Sequence, residues 1–141
     1  MVTVIARIVA AALGALGLLH VYWALGGRAG ESTAVPELNG QRAFVPSRGG
    51  TLVVAAALLF AAMVTAIAGR LIGVGGFGGV FRILAFGLSA TFIARAVGDF
   101  RWVGFFKRVR GTRFALLDTA VFSPLCLLVG CAVFYVAYNG A

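Results

Sequence analysis

Residues 91–124, TFIARAVGDFRWVGFFKRVRGTRFALLDTAVFSP, decide how the rest of the chain is read. Two apolar runs meet a basic, aromatic connector here. The segment holds Asp99 and Asp118, two of only four acidic residues, and half of the twelve cations. Outside it the chain alternates between long apolar runs and short connectors. With 62% hydrophobic and 11% charged residues and a mean hydropathy of +1.04, it departs from soluble domains, where about a quarter of residues are charged. A membrane span takes about 20 apolar residues. Four spans use roughly 80 residues and leave too little chain for a separate soluble domain. The expected fold is all-α: a four-helix transmembrane bundle, one integral membrane domain over residues 1–141.

The spans are expected at 4–25, 50–68, 80–97 and 119–138, joined by connectors at 26–48, 69–79 and 98–118. The first run exceeds the roughly 7–15 apolar residues of a signal-peptide core, and no small-x-small cleavage site precedes Gly26. It reads as a retained helix. Its Ala10, Gly14 and Gly17 permit close helix approach, and His20, Tyr22 and Trp23 fall where interfacial aromatics belong. Pro36, Asn39-Gly40 and Pro46 mark turns in the first connector. The glycine-rich segment 69–79 lacks the G-K-[ST] ending of a phosphate loop. Ser123-Pro124 marks a kink or a first-turn proline in the last span.

The net charge is +8, and eleven of the twelve cations are Arg. They sit in connectors and at span borders, the distribution of orientation signals and membrane-surface contacts, so nucleic acid is not an expected partner. The first and third connectors carry Arg28, Arg42, Arg48, Arg101, Lys107, Arg108, Arg110 and Arg113. Arg7, Arg70 and Arg82 belong to the other side. The Arg-rich side is expected to be cytoplasmic, with both termini outside. Cys126 and Cys131 lie about 140° apart on a helix and read as small buried residues. No metal-ligand cluster of ordinary spacing is present, and no cofactor is implied.

Trp102, Phe105, Phe106 and Val109 have i, i+3, i+4, i+7 spacing. That predicts a short amphipathic interfacial helix before the last span, ended by Gly111, with Arg101, Lys107, Arg108 and Arg110 toward anionic lipid. Asp99 follows the C-terminal end of the third span, where the helix dipole disfavours a carboxylate. Arg95, one turn earlier, is its expected partner. Asp118 reads as the N-cap of the fourth helix. By the up-and-down order of the spans, His20, Arg95, Asp99 and Asp118 reach one side. Together with Arg101 and Trp102 they form the candidate ligand-binding set.

Residues 98–119, GDFRWVGFFKRVRGTRFALLDT, with SPLCLL at 123–128 and LHVYWALGG at 19–27, resemble a widespread bacterial family of small four-helix membrane proteins catalogued as a domain of unknown function. The resemblance covers nearly the whole chain and is most specific over 95–128. It implies a bacterial inner-membrane location and four spans. It implies no activity, substrate or catalytic residue.

Three functions fit the residues. The first is binding or transport of a small amphipathic or anionic molecule, or of membrane lipid, with transport requiring a homo-oligomer. Another is acid–base chemistry on a lipid or isoprenoid through His20, Asp99 or Asp118. A third is an accessory role beside a partner membrane protein, packed through Gly/Ala faces.

Overall fold

A computed structural model describes residues 1–39 and 41–140. Gly40, half of one expected turn, and Ala141 lie outside the described residues. The chain opens with α1, Val2–Ala24. A one-turn helix, α2 (Glu31–Ala34), and a two-stranded antiparallel ribbon, β1 (Glu37–Leu38) and β2 (Gln41–Arg42), follow. Next come α3, Arg48–Ala68, and α4, Gly78–Val97, the latter entered through a 3-10 turn at Gly75–Phe77. The short α5, Arg113–Leu117, runs through a π turn, Asp118–Phe122, into α6, Ser123–Asn139. Four segments, Val2–Ala24, Arg48–Ala68, Gly75–Val97 and Arg113–Asn139, are long and apolar enough to cross a membrane. The expected all-α four-helix architecture is present.

The helices pack chiefly in two pairs, α1 along α3 and α4 along α6. The seam between the pairs is filled by Ala6, Leu13, Val64, Ala85, Val133 and Val136. Meanwhile Ile8, Leu18, Val53, Ile83 and Leu128 stay exposed on the outer faces. An apolar exterior of this extent suits lipid, and a helix interior satisfies its own backbone polar groups there.

Small residues set how closely the two helices of a pair approach. A Cβ on Gly130 would sit 2.7 Å from Ile93 Cγ1 and 3.2 Å from both Ile93 N and Ser89 O. Ser89 Oγ uses that proximity to donate to Gly130 O at 2.8 Å. Gly14 meets nothing within 4 Å.

The termini and the α3–α4 turn share one end of the bundle. Arg70 Nε donates to Gly140 O at 2.7 Å there. α3 stops in a Schellman arrangement, with Leu71 N donating to Ala66 O and Arg70 N to Ile67 O. The left-handed residue of that cap is Arg70, φ +60°, a position glycine normally takes. An L-residue there costs about 1–2 kcal/mol.

The other end carries the two long connectors, where two expectations are corrected, and a third concerns the cysteines of α6. No helix forms over Trp102–Val109. The backbone donors that would make the i→i−4 bonds of such a helix are committed elsewhere: Phe106 donates back to Val97 O, and Arg108 and Val109 both donate to Arg101 O. Phe105 likewise donates back to Ala96 O at the end of α4, and Asp99 holds the N–H groups of Arg101, Trp102 and Val103 in a turn. Gly98 (φ +100°) and Gly104 (φ +90°) make this fold-back sterically feasible, because the two backbones touch where a Cβ would stand. The last helical segment also starts at Arg113, ahead of the expected Thr119, with Thr112 Oγ1 capping Ala115 N at 3.1 Å. Cys131 is exposed on the outer face and Cys126 is half-buried, so neither is a fully buried residue.

Gly130→Val should overpack the α4–α6 seam and cost about 1–3 kcal/mol. Gly14→Val should be much milder. Melting of the purified variants in one detergent distinguishes them, and equal losses would contradict the packing described.

Candidate functional site

Asp118 accepts more hydrogen bonds than any other side chain among the described residues. It is 0% exposed, and four donors converge on its carboxylate. Arg95 Nη2 donates to Oδ1 at 2.7 Å. Oδ2 accepts from Gly104 N at 2.8 Å, Lys107 Nζ at 2.9 Å and Ser123 Oγ at 3.1 Å. A carboxylate offers about four lone-pair sites, so four donors and full burial leave Asp118 little acceptor capacity for a substrate.

The local backbone explains this convergence. Pro124 lacks an N–H and its ring would crowd the carbonyl four residues back in a regular α-helix. The π turn sits immediately before it. Its i→i+5 pattern brings Asp118 and Ser123 to one side, where they hydrogen-bond. Asp118 therefore does not cap the fourth helix, as expected from sequence; Thr112 does that.

Lys107 completes the network. Its Nζ also donates to Gly104 O at 3.0 Å and Thr119 Oγ1 at 2.6 Å, so all three ammonium protons are used. With 3% of its surface exposed, Lys107 does not point toward lipid headgroups. Sequence reasoning missed it, as well as Ser123. One signal was available: Lys107 is the single lysine in a chain otherwise using Arg, and a compact three-donor cation fits where a planar fork does not.

The expected Arg95–Asp99 pair is not formed. Arg95 turns to Asp118, with 33% of its side chain exposed and Nη1 buried without a hydrogen-bond partner among the described residues. Asp99 Oδ1 instead accepts from the N–H groups of Arg101, Trp102 and Val103 at 2.9, 2.7 and 3.0 Å. Burial pushes its carboxyl up, but these donors outweigh that and hold it below the ordinary carboxylate value. Asp99 thus organises its own turn, which explains a carboxylate beyond a helix C-terminus. Arg101 stacks over Trp102, 5.4 Å from its ring centre, at the exposed edge of the loop.

His20 lies elsewhere. It lines a cavity of about 400 Å³ bounded by α1, the start of α3 and the connector between them. Trp23, Val35, Phe44 and Val54 supply apolar walls, and Glu31, Arg48 and Thr51 add polar groups. None of Arg95, Asp99, Arg101, Trp102 and Asp118 lines it. A backbone carbonyl can only accept, so the 2.8 Å contact between His20 Nδ1 and Leu16 O fixes the proton on Nδ1. Nε2 is then the free acceptor of the neutral ring. Trp23 meets His20 edge-on at 4.8 Å and ties the connector back through Nε1 to Ala29 O at 2.7 Å. The six candidate residues thus divide among an internal ion network, a turn with its stacked Arg–Trp edge, and a cavity.

The family described as "Protein of unknown function (DUF3995)" matches residues 13–133, and the chain belongs to it. No curated protein and no solved structure gives a match.

Asp118→Asn removes the charge that compensates buried Lys107. Removing one partner of a buried pair typically costs about 3–5 kcal/mol. Lys107→Met should cost less, since Asp118 keeps Arg95, Ser123 and the Gly104 N–H. Folded yield and melting temperature in detergent should fall in that order, and a reversed order would show that the network is not centred on Asp118.

Proposed function

We propose that this protein binds a small amphipathic or anionic molecule, or a lipid, in the cavity between α1, α3 and their connector. The observation that carries the reading is the cavity's make-up. Its volume of about 400 Å³ falls within the roughly 300–1,000 Å³ of small-molecule sites, which pair apolar walls with a few converging polar groups. Arg48 and His20 are assigned to the ligand's polar end, and Trp23, Val35, Phe44 and Val54 to its apolar part. Arg48 forms no ion pair among the described residues, so its charge is available to an anion. Arg95, Lys107 and Asp118 serve as positioning groups that hold the neighbouring connector over the end of α4. Exposed Phe105 and Phe106 beside Arg108 and Arg110 suit contact with the headgroup region.

A second reading rests on the fixed His20 tautomer. With Nδ1 committed to Leu16 O, Nε2 is placed to accept a proton, as an acid–base enzyme acting on a lipid or isoprenoid would require.

The location we propose is the bacterial inner membrane, with the Arg-rich end cytoplasmic and both termini outside. Removing buried Lys107 from the surface count leaves Arg28, Arg42, Arg48, Arg101, Arg108, Arg110 and Arg113 against Arg7, Arg70 and Arg82. The asymmetry still favours that side.

Native mass spectrometry of the gently solubilised protein tests the binding site. Wild type should retain a discrete adduct, Val54→Trp should lose it by filling the cavity, and Arg48→Gln should weaken it about tenfold, the worth of one charge-assisted bond. An adduct indifferent to both variants, or none in wild type, rejects the proposal. If His20→Gln retains the adduct but abolishes its turnover, the enzyme reading gains. For orientation, an impermeant maleimide should label Gly76→Cys in intact cells and Phe106→Cys only after permeabilisation. The opposite pattern inverts the topology.

A further inference from the structure

At the end of the bundle opposite the Asp118 network, a second cavity of about 420 Å³ lies between the α3–α4 turn and the end of α6. Arg70 and Arg82 border it, and Gly73, Gly78 and Gly79 form much of its lining. We propose that this cavity binds a phosphate-class anion, either the headgroup of an anionic phospholipid or a free phosphate, with the two guanidinium groups as its principal donors. The site is separate from the His20 cavity, and neither proposal depends on the other.

Charge separation supplies the first argument. The acidic residues of the chain are Glu31, Glu37, Asp99 and Asp118. The first two belong to the connector after α1, and the others to the loop after α4 and the π turn it packs on. None lies in the α3–α4 turn or near the chain termini. Among the described residues, neither Arg70 nor Arg82 takes part in an ion pair. Two cations at the rim of an apolar bundle, with no acidic side chain at their end among the described residues, favour an added counter-anion.

Backbone conformation points the same way. Arg70 occupies the left-handed position of a helix cap, φ +60°, where glycine would be unstrained. Strained non-glycine residues gather at ligand sites, and the inference runs from such an outlier to function. Its Nε is tied to Gly140 O at 2.7 Å, which fixes the fork and leaves its terminal nitrogens for a ligand. Arg82 lies 5.9 Å over the ring of Phe86 and is half-buried, so its guanidinium is likewise held.

The glycines give the third argument. Gly73, Gly78 and Gly79 have ordinary φ values, and a Cβ on any of them would meet nothing within 4 Å. Neither conformation nor packing requires glycine at these positions. What its absence of a side chain provides is room for a ligand to approach the backbone closely. Two guanidinium forks also favour a tetrahedral anion: a carboxylate's two oxygens satisfy one bidentate fork, whereas a phosphate has oxygens for both.

The test uses the full-length protein in phosphatidylcholine vesicles containing a minor fraction of phosphatidylglycerol, with wild type compared to Arg82→Gln and Gly79→Val. The second variant keeps both charges and fills the cavity from its backbone side, so it serves even if the first folds poorly. In one arm, native mass spectrometry after release from the vesicles reads retained phosphatidylglycerol. In the other, inorganic phosphate and pyrophosphate are titrated against melting temperature in neutral detergent. Retention of phosphatidylglycerol by wild type, reduced about tenfold in the variants, assigns the site to a lipid headgroup. A melting shift with phosphate or pyrophosphate, lost in the variants without a difference in lipid retention, assigns it to free phosphate. Indifference of both readouts to both variants overturns the proposal.

Discussion

A carboxylate with no exposed surface, placed where a helix enters an apolar bundle, is the constraint on which this structure turns. An isolated buried Asp118 would be prohibitively costly, so cations must come to it. They arrive from two directions: Arg95 from the end of α4, and Lys107 from the loop that follows. Because each bond is made to the same side chain, the network joins α4, the loop and the start of the last helical segment. Gly104 N and Ser123 Oγ satisfy the remaining lone pairs, which is what allows a buried ion group to be tolerated at all. The loop's departure from helix follows from the same demand, since Gly104 and Lys107 reach Asp118 only when the chain doubles back over Val97 and Gly98.

The network also determines where ligand chemistry can occur. Asp118 and Lys107 are satisfied by their partners, and of the network's buried side-chain atoms only Arg95 Nη1 is left without one among the described residues. Residues that look weaker in sequence retain free capacity among the described residues: His20 through Nε2, Arg48 outside any ion pair, and Arg70 and Arg82 at the opposite end. A polar cluster in an apolar bundle is therefore ambiguous. Its hydrogen-bond inventory, counted donor by donor, tells an internal lock from an open site. By that count Asp118 is a lock.

Much of the fold was legible in the chain. Apolar runs such as 50–68 are long, uncharged and bounded by Pro, Ser and Gly, so their helicity needed no tertiary information. The residues that misled were those with two physically sound local roles. Asp118 before an apolar run has the form of an N-cap, and Trp102, Phe105, Phe106 and Val109 have helical spacing. Both patterns are locally sound and are overruled, because the burial of Asp118 outweighs the small gains of a cap or a short surface helix. Lys107 could be singled out by its solitude, but not assigned a partner eleven residues away.

The sequence by itself determined the class of solvent, the number of membrane-length helices and the end of the bundle at which acids and most cations gather. Those properties depend on composition and on distance along the chain. Only the tertiary structure decided which charges pair, that His20 stands apart from Arg95 and Asp118, and that Arg70 and Arg82 share a glycine-lined cavity. Pairing depends on distances of about 3 Å. A single π turn or a left-handed residue changes these by more than that, while leaving the hydrophobic pattern almost unaltered.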